Sequence, residues 1–356
     1  MKRIFFLLVI SLSVQFFFTQ NTNGQSVLKL RNGKVHFKNE QKKPIKIILD
    51  TDMLTDPEDV NALCLLNAFA DAGEAEILAC VVNNYDSNRV SGAAIDAVNT
   101  FYHRPDIPIG TFKGGSPDVT SPFTLMLHDS FTHNAPNDDK LPDALTVYRQ
   151  VMSKQPNHSV VIVSIGFLRN LKDLIYSKPD EYSNLNGRDL IRAKVKELVV
   201  MGGKYPEGKE YNFSYCGFGP VTKDVVNNWP DEIPVIFSGF EIGEHIISGK
   251  NYKNKLPYCP LLLALKSSYD AISRGRESWD ETAVIYGVRG LSYNGKEYWK
   301  TQSKGCVFVN DSDGSNKWLP LPDKNQSYLI ESMNPDSLGA FMENFILNSI
   351  NNAIKK

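Results

Sequence analysis

Five carboxylates crowd into ten residues of this chain: Asp50, Asp52, Asp56, Glu58 and Asp59, within the run KIILDTDMLTDPEDVNALCLL. Like charges at that density either splay into water or converge, some of them, on a hard cation that prefers oxygen ligands. Asp59 has a simpler use as well, because it begins a segment of helical period and a carboxylate suits a helix N-terminus. Asp50 and Asp52 have no such use. They close an apolar run, Ile45 to Leu49, and the reading that covers them is a metal site beyond a strand end.

The elements that would position these residues follow from the pattern of the rest. Short β-rich apolar runs recur at Ile45 to Leu49, Ile77 to Val82, Ile107 to Gly110, Val160 to Ser164, Leu198 to Met201 and Ile233 to Phe237. Between them lie segments of helical period at Asp59 to Ala70, Arg89 to Tyr102, Ala144 to Met152, Leu168 to Tyr176 and Lys223 to Trp229. This alternation predicts an α/β fold, a single domain with a mainly parallel sheet flanked by helices on both faces. In such sheets ligands bind beyond the carboxyl ends of the strands, where the acidic run stands. From Tyr293 to Leu329 the pattern changes to aromatic and β-branched pieces around Asn310-Asp311-Ser312-Asp313-Gly314, which reads as a C-terminal β-hairpin region. Val309 occupies the first ligand place of an EF-hand loop, so that acidic turn reads as a turn.

The 356 residues are 42% apolar and 22% charged, with 39 basic against 40 acidic side chains. That balance gives no field to attract a phosphate backbone, so a nucleic-acid partner is not expected. Met1-Lys2-Arg3 followed by the apolar Ile4 to Phe18 resembles a secretory signal peptide over residues 1–25, leaving a domain of 26–356. The apolar run is shorter than the roughly 20 residues that span a bilayer, so no stable membrane anchor is expected and the protein is read as exported, periplasmic or secreted. Cys64, Cys80, Cys216, Cys259 and Cys306 form no CxxC pair and suggest neither a zinc knuckle nor a full disulfide framework.

Two enzyme families begin with such a strand. Asp50-Thr51-Asp52-Met53-Leu54 nearly fits the D-x-D-x-[T/V] of haloacid-dehalogenase-like phosphatases, departing at Leu54. The same stretch resembles the D-T-D-P-G-x-D-D-A of calcium-dependent nucleoside hydrolases, the inosine-uridine preferring family, with two residues inserted before Glu58-Asp59. Later segments favour the second. Val82-Asn83-Asn84 is similar to that family's strand ending in Gly-Asn; Gly166 to Leu171 to its G-P-L-T-N-L; Met201-Gly202-Gly203 to its M-G-G; Glu210-Tyr211-Asn212 to its E-F-N; and Ser278 to Ala283 to its H-D-P-L-A. The phosphatase reading predicts none of the last three.

The resemblance implies cleavage of the N-glycosidic bond of a ribonucleoside or related riboside by a calcium-positioned water. It implies Ca²⁺ held by Asp52, Asp59, Asp280 and a carbonyl at or near Arg169, with Asp52 also accepting the proton of the water. Glu58, Asn84, Glu210 and Asn212 would hold sugar hydroxyls, and Asp50 would support the loop from behind. Two departures matter. Glu58 is longer by a methylene than the family's Asp, and Trp279 stands where the familiar enzymes have a His that assists the leaving base. Trp donates one N–H but transfers no proton at neutral pH. Trp279, Tyr211 or Tyr215 could instead stack on a base, and His128 and His133 lie in the loop a base would approach. The implied partner is a small-molecule riboside, with a homo-oligomer left open. The alternatives are the metal-dependent phosphatase and a non-catalytic nucleoside- or sugar-binding protein.

Overall fold

The computed structural model describes residues 28–31, 34–37, 43–115, 119–268 and 271–356. The chain divides into two units, Met1–Lys43 and Pro44–Lys356. In the first, Leu28–Arg31 pairs antiparallel with Lys34–Phe37. The signal peptide expected over 1–25 lies outside the described residues. The second unit accounts for Pro44 onward of the expected 26–356 domain. Among the described residues no helix is long and apolar enough to cross a membrane.

The larger unit is built on an eight-stranded sheet. Its strands are β1 (Ile45–Thr51), β2 (Ala75–Val82), β3 (Ile109–Thr111), β4 (Val160–Ser164), β5 (Val195–Met201), β6 (Val235–Ser238), β7 (Trp299–Gln302) and β8 (Gln326–Glu331). They stand in the order β7-β8-β6-β5-β4-β1-β2-β3. Every neighbouring pair is parallel except β7 with β8, which closes one edge antiparallel. The principal helices are α1 (Glu58–Asp71), α2 (Ser91–Phe101), α3 (Ala144–Ser153), α4 (Arg169–Tyr176), α5 (Gly187–Lys194), α6 (Gly219–Asn228), α7 (Trp279–Arg289) and α8 (Pro335–Lys355).

The period of two along each strand sorts the core into two halves. Ile47, Leu49, Val161, Val163 and Val199 meet residues of α1, α2, α7 and α8 on one face. Ile48, Val160, Ile162, Leu198 and Val200 meet α3, α4, α5 and α6 on the other. Both faces are covered, which is why these strands read as unbroken apolar runs. The last helix shows the helical counterpart: Leu338, Met342, Ile346 and Ile350 recur every four residues and are fully buried, each stabilising by about 1.5–3 kcal/mol. Asn334 caps it by accepting from Ser337 N, and Pro335 occupies its first turn. Beyond β6, the acidic turn joins Cys306–Val309 to Asn316–Leu319 as the expected antiparallel hairpin. The parallel strand β8 and helix α8 were not anticipated from the sequence.

Candidate active site

The carboxyl ends of β1, β4 and β5 open into a cavity of about 230 Å³. Of the residues expected at a site, it is lined by Asp52, Glu58, Asp59, Glu210, Asn212, Trp279 and Asp280. These come from segments up to 228 positions apart, Asp52 to Asp280, and the fold brings them to one place.

The end of β1 carries two buried carboxylates with opposite surroundings. Asp50 accepts hydrogen bonds from Asn83 Nδ2 at 2.8 Å, Asn170 Nδ2 at 3.1 Å and Tyr148 Oη at 2.7 Å. Burial still raises its pKa to about 7, against the pull of those donors. Asp52, two residues on, is also buried, and its pKa rises well above the usual range through burial and then the charges of Asp59, Asp56 and Glu210. Gly166 makes this junction possible. A Cβ there would lie 2.7 Å from Asp52 N and 2.7 Å from Asn83 Oδ1, so only glycine lets the segment after β4 pass so close. Met53, next in the loop, takes a left-handed φ of 49°, a local strain of the kind found where a site fixes its backbone.

Asp59, at the start of α1, accepts from Thr51 Oγ1 and from Met53 N, and burial lifts its pKa to about 6. Glu58 precedes it and accepts from Trp279 N at 3.1 Å and Asp280 N at 3.5 Å. It thereby caps α7, a use of this carboxylate that the sequence did not reveal. Burial, then Asp56 and Glu281, raise its pKa well above the ordinary value. Asp280, in the first turn of α7, is raised in the same way by burial and by Glu58, Asp59 and Asp52.

On the opposite side, the M-G-G and E-Y-N segments brace each other. Glu210 accepts from Gly203 N at 2.9 Å, Asn212 N at 2.6 Å and Phe213 N at 3.2 Å. Burial pushes its pKa up to about 7 while those amides oppose the shift. Asn212 Nδ2 donates to Met201 O at 3.2 Å. Gly202 is obligatory here too, since a Cβ would meet the Phe213 ring at 2.4 Å.

Other expected residues stand elsewhere. Asn84 is buried and does not line the cavity; its Nδ2 donates to Asp52 O at 3.2 Å, and its Oδ1 has no partner among the described residues. The Arg169 side chain also lies off the cavity wall, donating Nε to Asn83 O and lying over the rings of Phe112 and Phe218. His128 and His133 lie against each other at 4.6 Å between ring centroids, their planes tilted by 40°, and neither is among the residues that line the cavity. Trp279 borders it, but its indole N–H is spent on Phe240 O at 2.9 Å, with the two rings stacked at 5.1 Å. Tyr211, stacked on Tyr215 at 4.5 Å, completes the aromatic part of the wall. Asp56, named in the acidic run without a role of its own, also lines the cavity, and Thr55, Phe240 and Arg276 do so without having been singled out from the sequence.

Among the described residues, no three His, Cys, Asp or Glu side chains stand ready as a metal-ligand set. The donor chemistry nevertheless fits calcium. Asp52, Asp59 and Asp280 are buried oxygen donors, each raised by burial and then by a neighbouring carboxylate: Asp52 by Asp59, Asp59 by Asp56, and Asp280 by Glu58, Asp59 and Asp52; a hard dication relieves such repulsion as no neutral donor can.

No protein-family model matches the sequence, and no curated protein matches it at a significant level. The fold has clear counterparts among solved structures. A plant nucleoside hydrolase superposes with a TM-score of 0.61 at 15% identity, covering 85% of this chain and 99% of its own. The inosine-uridine preferring nucleoside hydrolase of Bacillus anthracis does so at 0.60 and 13%, covering 87% and 99%. The type III effector protein XopQ, complexed with adenosine diphosphate ribose, does so at 0.61 and 13%, covering 87% and 95%. The chain therefore has a nucleoside hydrolase-like α/β fold, and the sequence resemblance is met by the architecture. Identities this low establish the fold alone.

Proposed function

We propose that this protein hydrolyses the N-glycosidic bond of a ribonucleoside or related riboside, using a bound calcium ion. The observation that carries the reading is the convergence of Asp52, Asp59 and Asp280 with Glu210 and Asn212 in one cavity at the strand ends of a nucleoside hydrolase-like sheet. Asp52, Asp59 and Asp280 would hold the ion, with the carbonyl near Arg169 completing the set. Calcium bound there would supply charge that orients a water and lowers its pKa.

The remaining work belongs to the chain. Asp52 takes the proton of the attacking water. Glu210 and Asn212 meet sugar hydroxyls, and Glu58 does so with whatever capacity its capping of α7 leaves. The excess of carboxylate oxygens around the ring favours the positive charge that develops on the ribosyl group. Asn84 acts through the Asp52 backbone, which its amide steadies. Asp50 holds the loop in register from behind.

Titration of the metal-stripped protein with Ca²⁺, with and without ribose, followed by a reducing-sugar assay over a panel of nucleosides, tests this. Calcium binding that strengthens ribose binding, with sugar release, is the expected result. Binding of both without release would make the protein a riboside-binding module on a hydrolase fold. Absence of calcium binding would remove the site assignment. In keeping with its leader-like start, export to the periplasm or medium is part of the proposal.

A further inference from the structure

Trp279 cannot assist a leaving base through its indole N–H, which Phe240 O already takes. A nitrogen base still gains an electron pair as its bond to C1′ breaks, and some donor must meet that charge. Among the described residues lining the cavity, Arg276 is the one cation. It stands on the two-residue strand Arg276–Glu277, paired antiparallel with Ile247–Ser248. Gly275 before it takes φ +82°, and a Cβ there would lie 2.5 Å from Ser248 O, so this turn requires glycine. The guanidinium is then fixed on two edges. Nη2 donates to Asp56 at 2.5 Å and Nη1 to Glu277 at 3.1 Å, with the Trp279 ring centroid 5.3 Å from Cζ. Nε is closed off and has no partner among the described residues, so it is the Nη edge that a ligand in the cavity can meet.

Of the five N–H groups those two bonds use two, and the spare Nη hydrogens of an anchored guanidinium that lines the cavity make a preorganised donor. We propose that Arg276 stabilises the departing leaving group. This rests on the riboside hydrolysis proposed above and names the class of leaving group, a nitrogen base that departs as its anion. As the C1′–N bond breaks, its electron pair goes to the base nitrogen, which accepts the Arg276 hydrogen bond. The water oxygen bonds to C1′, one water proton passes to Asp52, and the base anion takes a proton from solvent. The guanidinium keeps its protons throughout. A phosphate on the substrate is the weaker claimant for Arg276, because Asp52, Asp56, Glu58, Asp59, Glu210 and Asp280 share the cavity and repel it.

The test compares two ribosides in the calcium-loaded full chain. One is the nucleoside turned over fastest; the other is p-nitrophenyl riboside, whose leaving group is stable as an anion without help. Loss of one preorganised donor costs about 10²–10³ in kcat. Arg276→Met is therefore expected to lose about 100-fold more activity on the nucleoside than on p-nitrophenyl riboside, with added guanidinium ion restoring part of it. Arg276→Lys should fall between the two. Equal losses on both substrates, or no loss on either, would overturn the assignment and leave Arg276 as a structural partner of Asp56. If the unmodified protein cleaves neither riboside, the hydrolase reading itself falls, and the Arg276 assignment with it.

Discussion

Asp50 and Asp52 leave the same strand two residues apart, both buried, and their surroundings could hardly differ more. Asp50 sits among neutral donors, Asn83, Asn170 and Tyr148, each within hydrogen-bond distance. Asp52 faces Asp59, Asp56 and Glu210, whose charges all oppose its ionisation. A carboxylate surrounded by donors is finished as a structural element. One surrounded by carboxylates is finished only when something positive arrives. The contrast separates the support of the site from its working part. Asp50 fastens β1 to the segments after β2 and β4, and its order allows Asp52 to be held in a position that costs stability.

The sharpest way to break the comparison is to neutralise each carboxylate in turn. Asp52→Asn should lower kcat for riboside hydrolysis by about 10³-fold or more, as loss of a general base that also holds the ion. The metal-free variant should melt higher than the unmodified protein, because a repelling charge is gone. Asp50→Asn should do the reverse. It points an amide at donors that need an acceptor, costing about 1–3 kcal/mol, while kcat falls no more than about tenfold. Paired kinetic and melting measurements that gave the two variants the same profile would erase the distinction.

Asp280→Ala addresses the same division from α7. It removes an oxygen donor and leaves Asp59 and Asp52 with less repulsion, so calcium affinity should fall by about 10² or more, in the range seen when a metal environment is damaged, while the metal-free fold gains stability. Calorimetric titration with Ca²⁺ beside the melting curve reads both effects. Unchanged affinity would move the ion away from α7.

The pH dependence of the metal-stripped protein follows from the signs of the shifts. Asp59 is raised to about 6, Glu210 and Asp50 to about 7, and Glu281 to about 8. The native state therefore binds more protons than the unfolded chain between about pH 4 and pH 8, and stability falls as pH rises through that window. Tm should be highest near the low end of that window, at about pH 4, and drop by several degrees toward pH 8. Calcium should flatten the curve by favouring the ionised forms. A metal-free Tm that rises with pH would contradict the burial of these acids.

What was legible in the sequence divides along a physical line. Five of the central strands, β1, β2, β4, β5 and β6, are buried on both faces, so each announces itself as a continuous apolar run. Glycines at tight contacts kept the motif segments recognisable, since Gly166 and Gly202 each lie where a Cβ would collide. Roles fixed by long-range contacts were not legible. Nothing near Glu58 in sequence tells that it caps a helix 221 positions away at Trp279. Asn83 and Asn84 are adjacent and alike, yet Asn83 bonds Asp50 while Asn84 bonds the Asp52 backbone. Arg276 reaches the cavity only because Gly275 turns the chain onto a strand pair that local periodicity does not mark. The loop histidines His128 and His133, placed by the sequence where a base would approach, are not among the residues that line the cavity.

The smallest expected effect concerns Trp279, where residue type and surroundings again part company. At the position of an assisting His, an indole suggests a donor, but its N–H already serves Phe240 O and its ring stacks on Phe240. Gly243 packs against it so closely that a Cβ would lie 2.4 Å from Trp279 Cα. Trp279→Phe keeps the stacked wall and leaves one carbonyl without its partner, a loss of about 1 kcal/mol in stability. Turnover should drop less than about tenfold, far less than for Asp52→Asn and less than for Arg276→Met on the same nucleoside. A loss as large as that of Arg276→Met would mean that the indole touches the leaving group after releasing Phe240 O. The working part of the site would then extend onto the aromatic wall that the structure assigns to support.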